Sequence, residues 1–105
     1  MAGIVSSGMR HPDEAEAIEW VSAEIARLRS LSYDELAGLV DEALHYRIVS
    51  RTGRVLMGEA QVFWERDEHG PLWLLVDICE RKPGVVSSIA SDQFLRAADE
   101  FSDGQ

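Results

Sequence analysis

Leu44-His45-Tyr46-Arg47-Ile48-Val49-Ser50-Arg51-Thr52-Gly53-Arg54-Val55-Leu56-Met57-Gly58-Glu59-Ala60-Gln61-Val62-Phe63-Trp64 is the stretch that decides the fold. Leu44, Tyr46 and Ile48 alternate with His45, Arg47 and Val49, the period of two that gives a strand two unlike faces. Leu56, Ala60, Val62 and Trp64 share one side of a second strand. Strands joined by so short a connector form an antiparallel hairpin. Its register is legible too. A two-residue Thr52-Gly53 turn sets Arg51 against Arg54 and puts Leu44, Tyr46 and Ile48 on the face of Glu59 and Gln61. A three-residue loop, Arg51-Thr52-Gly53, pairs Ser50 with Arg54 and uses Gly53 in the left-handed conformation. It places Tyr46 and Ile48 beside Leu56 and Ala60. A one-residue slip inverts a whole face, so the hydrophobic pattern selects the longer loop.

Working outward, Leu72 to Glu80 reads as a third strand, with Leu72, Leu74, Val76 and Ile78 on one side. The connecting turn runs through Asp67-Glu68-His69-Gly70, and Pro71 sits at the strand start, where its missing N–H does least harm. Arg81-Lys82-Pro83-Gly84 reads as a break that leaves the third strand at the sheet's edge. Val85 to Ile89 is either extended or loop. Ser91-Asp92 reads as the cap of a short last helix carrying Phe94, Leu95 and Ala98.

Upstream, Pro12 and the spacing Asp13-x-x-Glu16 mark a helix start. Ile18, Val21, Ile25 and Leu28 recur on one helical face, and the helix is expected to end near Ser30. Early acids and late Arg27 and Arg29 suit its dipole. Ser32-Tyr33-Asp34-Glu35 starts a second helix, expected to reach about Glu42. Together these elements predict an α+β domain: two N-terminal helices packed on a three-stranded antiparallel β-meander, with a short C-terminal helix. Residues 12–101 form the domain, and residues 1–11 and 102–105 are expected to be flexible tails.

With 105 residues the chain has room for one core. Its 46% apolar and 28% charged residues fit a folded domain rather than a disordered one. Nineteen acids against ten Lys and Arg give a net charge of −9. Polyanions are bound through clustered cations, so nucleic acid and anionic membrane are unsuitable partners. Cys79 is the single cysteine, which excludes an intrachain disulfide and fits a reducing compartment. The first eight residues lack a basic start and an apolar core, and Leu72-Trp73-Leu74-Leu75-Val76 is far short of the ~20 residues that span a bilayer. A cytoplasmic location is the expectation.

Several segments of the central block carry a resemblance: Leu31-Ser32-Tyr33-Asp34-Glu35-Leu36, Leu44-His45, Gln61-Val62-Phe63-Trp64 and Ser91-Asp92-Gln93-Phe94-Leu95. Over roughly residues 31–95 the chain resembles a family of small uncharacterised bacterial proteins of unknown function. The resemblance implies no activity and carries no functional residue over.

The preferred register has chemical content. If Leu56, Ala60, Val62, Leu74, Val76 and Ile78 face the helices, then His45, Arg47, Met57, Glu59, Gln61, Phe63, Trp73, Leu75, Asp77 and Cys79 face the other way. His45 then lies opposite Glu59, and Glu59 opposite Asp77, with Cβ atoms ~5 Å apart. Such a row suits acid/base chemistry, because adjacent carboxylates raise one another's pKa and an anion stabilises an imidazolium. It equally suits a solvated polar stripe with a surface pair contributing under ~1 kcal/mol. The candidate catalytic residues are therefore His45, Glu59 and Asp77. Met57, Phe63, Trp73 and Leu75 make the same face partly apolar and are the candidate interaction residues. That face is either covered within the chain, packed in a homodimer, or docked on another protein.

No catalytic motif, phosphate-binding loop or zinc spacing is present. His11, His45 and His69 are far apart in sequence; His11 and His69 are expected to be exposed. Cys79 reads as an inert thiol. No cofactor or metal is expected. The leading expectation is a non-catalytic protein-interaction module, or a homodimeric domain using one sheet face or the third-strand edge. The alternatives are a small acid/base enzyme on the His45–Glu59–Asp77 row, or an acidic inhibitor or immunity-type partner of a basic protein.

Overall fold

A computed structural model describes residues 5–6 and 11–98. The order is β1 (Val5–Ser6), α1 (Glu14–Arg29), α2 (Tyr33–Ala37), β2 (Ala43–Val49), β3 (Val55–Trp64), β4 (Leu72–Lys82) and β5 (Val85–Arg96). The strands form one antiparallel sheet in the order β1-β5-β4-β3-β2. The fold is α+β, as its sequence indicates.

The decisive hairpin has the longer loop. The Ser50 N–H donates to the Arg54 carbonyl at 2.8 Å, and Gly53 takes φ +87°. Ile48 lies opposite Leu56 and Leu44 opposite Ala60. Leu56, Ala60 and Val62 are buried beneath the helices, and Phe63 faces away, 44% exposed. One α1 face supplies Ala17, Val21, Ile25 and Leu28 to the core, and the sheet answers with Leu56, Leu72, Leu74, Val76, Ile78, Ile89 and Phe94. Gly58 lets the two layers meet closely. A Cβ there would lie 2.5 Å from the Trp20 ring and 2.9 Å from Ile48 Cδ1.

Three expectations are corrected. The segment from Ser91 is not a helix: Val85–Arg96 is a twelve-residue strand. Pro83-Gly84 turns the chain instead of ending the sheet. Pro fixes φ at the first corner and Gly84 takes φ +78°, the pattern of a type II turn. Lys82 and Val85 then pair, and the ladder runs back to Leu72 opposite Arg96. The Ser-Asp cap signal loses to a whole strand of ladder hydrogen bonds plus burial of Ile89, Ala90 and Phe94 under α1. A register shift between Ile78 and Cys79 turns both Ile89 and Ala90 toward the core. In consequence the third strand of the meander, β4, is internal, and β2 ends the sheet on one side.

The helices differ in detail. Ser32 and Glu35 form the expected capping box, but α2 stops at Ala37, and Asp41 takes φ +72° before β2. Asp13 caps nothing with its side chain. Its carboxylate accepts instead from the Ser50 hydroxyl at 3.0 Å and the Thr52 hydroxyl at 2.8 Å. The stretch read as an N-terminal tail holds β1, which pairs Val5 with Ser91 and Ser6 with Ala90, and it holds His11, whose side chain is only 15% exposed against Glu80. The rest of that stretch, and the C-terminal tail, lie outside the described residues.

Candidate functional site

The sheet has one face under α1 and one face that no described element covers. On the uncovered face the pairing sets side chains in rows across the strands. Phe63, Trp73 and Leu95 make one row. Gln61, Leu75 and Gln93 make the next. His45, Glu59, Asp77 and Ser91 make a third, and Arg47, Met57, Cys79 and Ser88 a fourth. The face is thus apolar at one end and charged in the middle. All three acid/base candidates and all four interaction candidates lie on it. The sequence reading omitted Leu95, Gln93, Ser91 and Ser88, which β5 brings. The only signal for them was Pro83-Gly84 followed by β-branched Val85-Val86, which marks a hairpin.

His45 Nε2 lies 2.9 Å from Glu59 Oε2, with side chains 59% and 37% exposed. Exposure of that order limits the pair to under ~1 kcal/mol. Asp77, next in the row, is held differently. Burial pushes its carboxyl above the usual carboxylate range, and the neighbouring Glu59 charge adds to that rise. The Ser88 hydroxyl opposes it, donating to Asp77 Oδ1 at 2.8 Å. The Cys79 thiol is also pushed up, first by burial and then by the Asp77 charge. Less thiolate means a poorer nucleophile. The row stands on a sheet surface, not in a cleft. A cleft of about 240 Å³ lies on the helix side, lined by Glu16, Glu19, Trp20, Ile48, Arg51 and others, and includes none of the row.

Two polar clusters were not legible in the sequence. Around Asp13, His11 Nδ1 accepts from the Asp13 N–H at 3.0 Å, which leaves Nε2–H to donate to Glu80 Oε1 at 2.7 Å. Arg54 reaches Glu80 at 3.6 Å and Asp13 at 3.9 Å. The His11 bond holds the Glu80 carboxyl below its usual range. This cluster ties the start of α1 to the β2–β3 loop and to β4. The second joins α1 to β2: Arg27 donates twice to Glu24, at 3.0 and 2.7 Å, and the Tyr46 hydroxyl donates to Glu24 at 2.9 Å. The Arg27 bonds hold Glu24 low against its burial, while burial pushes the Tyr46 hydroxyl up. Both clusters join separate elements through protein partners, and no buried side-chain polar atom among the described residues lacks one, which suits fastening. His69 is exposed, as its turn position implies.

Among the described residues no group of His, Cys, Asp and Glu is arranged to hold a metal ion, and no helix is long and apolar enough to cross a membrane. Fold and face define the class: an α+β domain with helices on one side of its sheet and a second side that no described element covers. No family model, curated protein or solved structure matches the chain.

Proposed function

We propose that this protein is a non-catalytic interaction module that docks a protein partner on the uncovered sheet face. The observation that carries the reading is the Phe63–Trp73–Leu95 row, with Leu75 beside it. Phe63, Leu75 and Leu95 are 44%, 36% and 46% exposed. Aromatic and aliphatic side chains contiguous on a flat face supply the central apolar patch of an interface. The charged row beside them serves as the polar rim that fixes orientation. Acid/base catalysis is the weaker reading, because His45 and Glu59 stand in water rather than in a pocket that excludes it. A lone, poorly nucleophilic thiol favours a reducing compartment, and we place the protein in the cytoplasm on that ground.

The test is affinity capture from the source cell with three baits: wild type, Trp73→Asp, and Glu19→Lys on the exposed side of α1. A partner held by wild type and by Glu19→Lys but released by Trp73→Asp supports the face. A partner retained by folded Trp73→Asp refutes it.

A further inference from the structure

We infer that a second copy of this chain pairs antiparallel along the free edge of β2, in the register centred on Tyr46. This names one partner for the association role proposed above, at an edge distinct from the docking face.

The Ser50–Arg54 hydrogen bond fixes which backbone groups are used within the sheet. Antiparallel ladders alternate, so Ile48, Tyr46 and Leu44 turn their N–H and C=O toward β3. Val49, Arg47, His45 and Ala43 turn theirs outward, and no described element lies beyond β2. Natural edges are blunted by Lys, Pro or bulges. Ala43–Val49 contains neither Lys nor Pro, Arg47 is its one fixed charge, and its pairing with β3 is unbroken.

The strand is complementary to itself in one register. Opposed residues must share a sheet face, so the two-fold axis falls on a residue. Centred on His45 it sets histidine against histidine; centred on Arg47 it sets arginine against arginine. Each of these registers pairs only five of the strand's seven residues, and opposed arginines repel. Centred on Leu44 or Ile48 it pairs only a fragment. Centred on Tyr46 it pairs the whole strand: Ala43 with Val49, Leu44 with Ile48, His45 with Arg47. The outward groups then meet in narrow pairs, giving about eight backbone hydrogen bonds. On the helix side Leu44 covers Ile48 of the second copy, and both are half-buried within one chain. On the bare side each row runs Asp77, Glu59, His45, then Arg47 of the second copy. The seam thus opposes His45 and Arg47, and Glu59, 2.9 Å from His45 in its own chain, offsets those bases. No acidic residue occurs between Glu42 and Glu59, so the edge is free of the charge that dominates the rest of the chain.

Sedimentation equilibrium of the full chain tests this, with Arg47→Pro as the deciding variant. Proline removes an outward N–H at the centre of the seam and spares the β2–β3 ladder. A wild-type dimer that strengthens with added salt, as screening relieves repulsion between two acidic chains, is expected. Arg47→Pro is expected to weaken it at least about 100-fold. Should Arg47→Pro fail to fold, Tyr46→Cys in a Cys79→Ser background decides: mild oxidation cross-links two copies through residue 46, whereas Phe63→Cys in that background stays uncross-linked. A strictly monomeric wild type, a folded Arg47→Pro that remains dimeric, or a Tyr46→Cys that does not cross-link overturns the inference. A dimer lost on Trp73→Asp but kept on Arg47→Pro assigns self-association to the open face instead.

Discussion

Replacing Gly58 by Ala tests the packing of α1 on the sheet. The added Cβ would sit 2.5 and 2.7 Å from two Trp20 ring atoms and 2.9 Å from Ile48 Cδ1. The Ile48 methyl can swing aside. The Trp20 ring is rigid and lies edge-on to Tyr46 at 5.5 Å, so it moves only by giving up that contact. Overpacking of this kind costs ~1–3 kcal/mol, and removing a strand glycine returns ~0.5–1 kcal/mol of backbone entropy. The net expectation is a loss of about 1–2 kcal/mol, read as a thermal midpoint lowered by about 5–15 °C for a domain of this size. Circular-dichroism melts measure it, and urea titration followed by tryptophan fluorescence gives the free energy. Shrinking the ring should rescue: Trp20→Leu with Gly58→Ala should lose less than the sum of the two single changes. A Gly58→Ala protein as stable as wild type, or a strictly additive double variant, refutes the close approach.

Other outcomes follow from the polar clusters and the bare face. Asp13→Ala strips a buried carboxylate from two hydroxyl donors and should cost about 2–3 kcal/mol, with Asp13→Asn costing less; urea midpoints distinguish them. Glu24 and Glu80 are held below the usual range, so the stability they contribute is fully present above their unfolded values near ~4.3 and is lost as pH falls through the folded values. Asp77 works with opposite sign, its raised carboxyl favouring folding as it takes up a proton, so Asp77→Asn should steepen the acid loss and Glu24→Gln should flatten it, measured by urea midpoints between pH 3 and 7. Cys79 should react with a disulfide reagent at neutral pH more slowly than a free thiol, and faster once Asp77→Asn removes the adjacent charge.

Local patterns settled much of this molecule. The period-two alternation of Leu44 to Trp64, and the choice between two loop lengths, fixed which side chains share a face. His45 stands by Glu59 and Phe63 by Trp73 because one-residue slips would have buried Glu59 and Gln61. The Ser32–Glu35 box marked α2 because both halves of that motif lie within four residues. Tertiary structure decided the rest. Ser91-Asp92 carries a helix-start signal in isolation, yet β4 offers a strand-length edge and α1 an apolar surface, and a short segment follows the larger gain. That outcome made β4 internal, put β5 outside it with β1 paired only at Ala90 and Ser91, and added Leu95 to the apolar row. Asp13 likewise carries a capping signal, but Ser50 and Thr52 arrive from a loop 37 and 39 residues away and take its carboxylate. Alternation and capping act between near neighbours and are written in the chain, whereas competition for a partner far along the chain is settled only when the fold brings the competitors together.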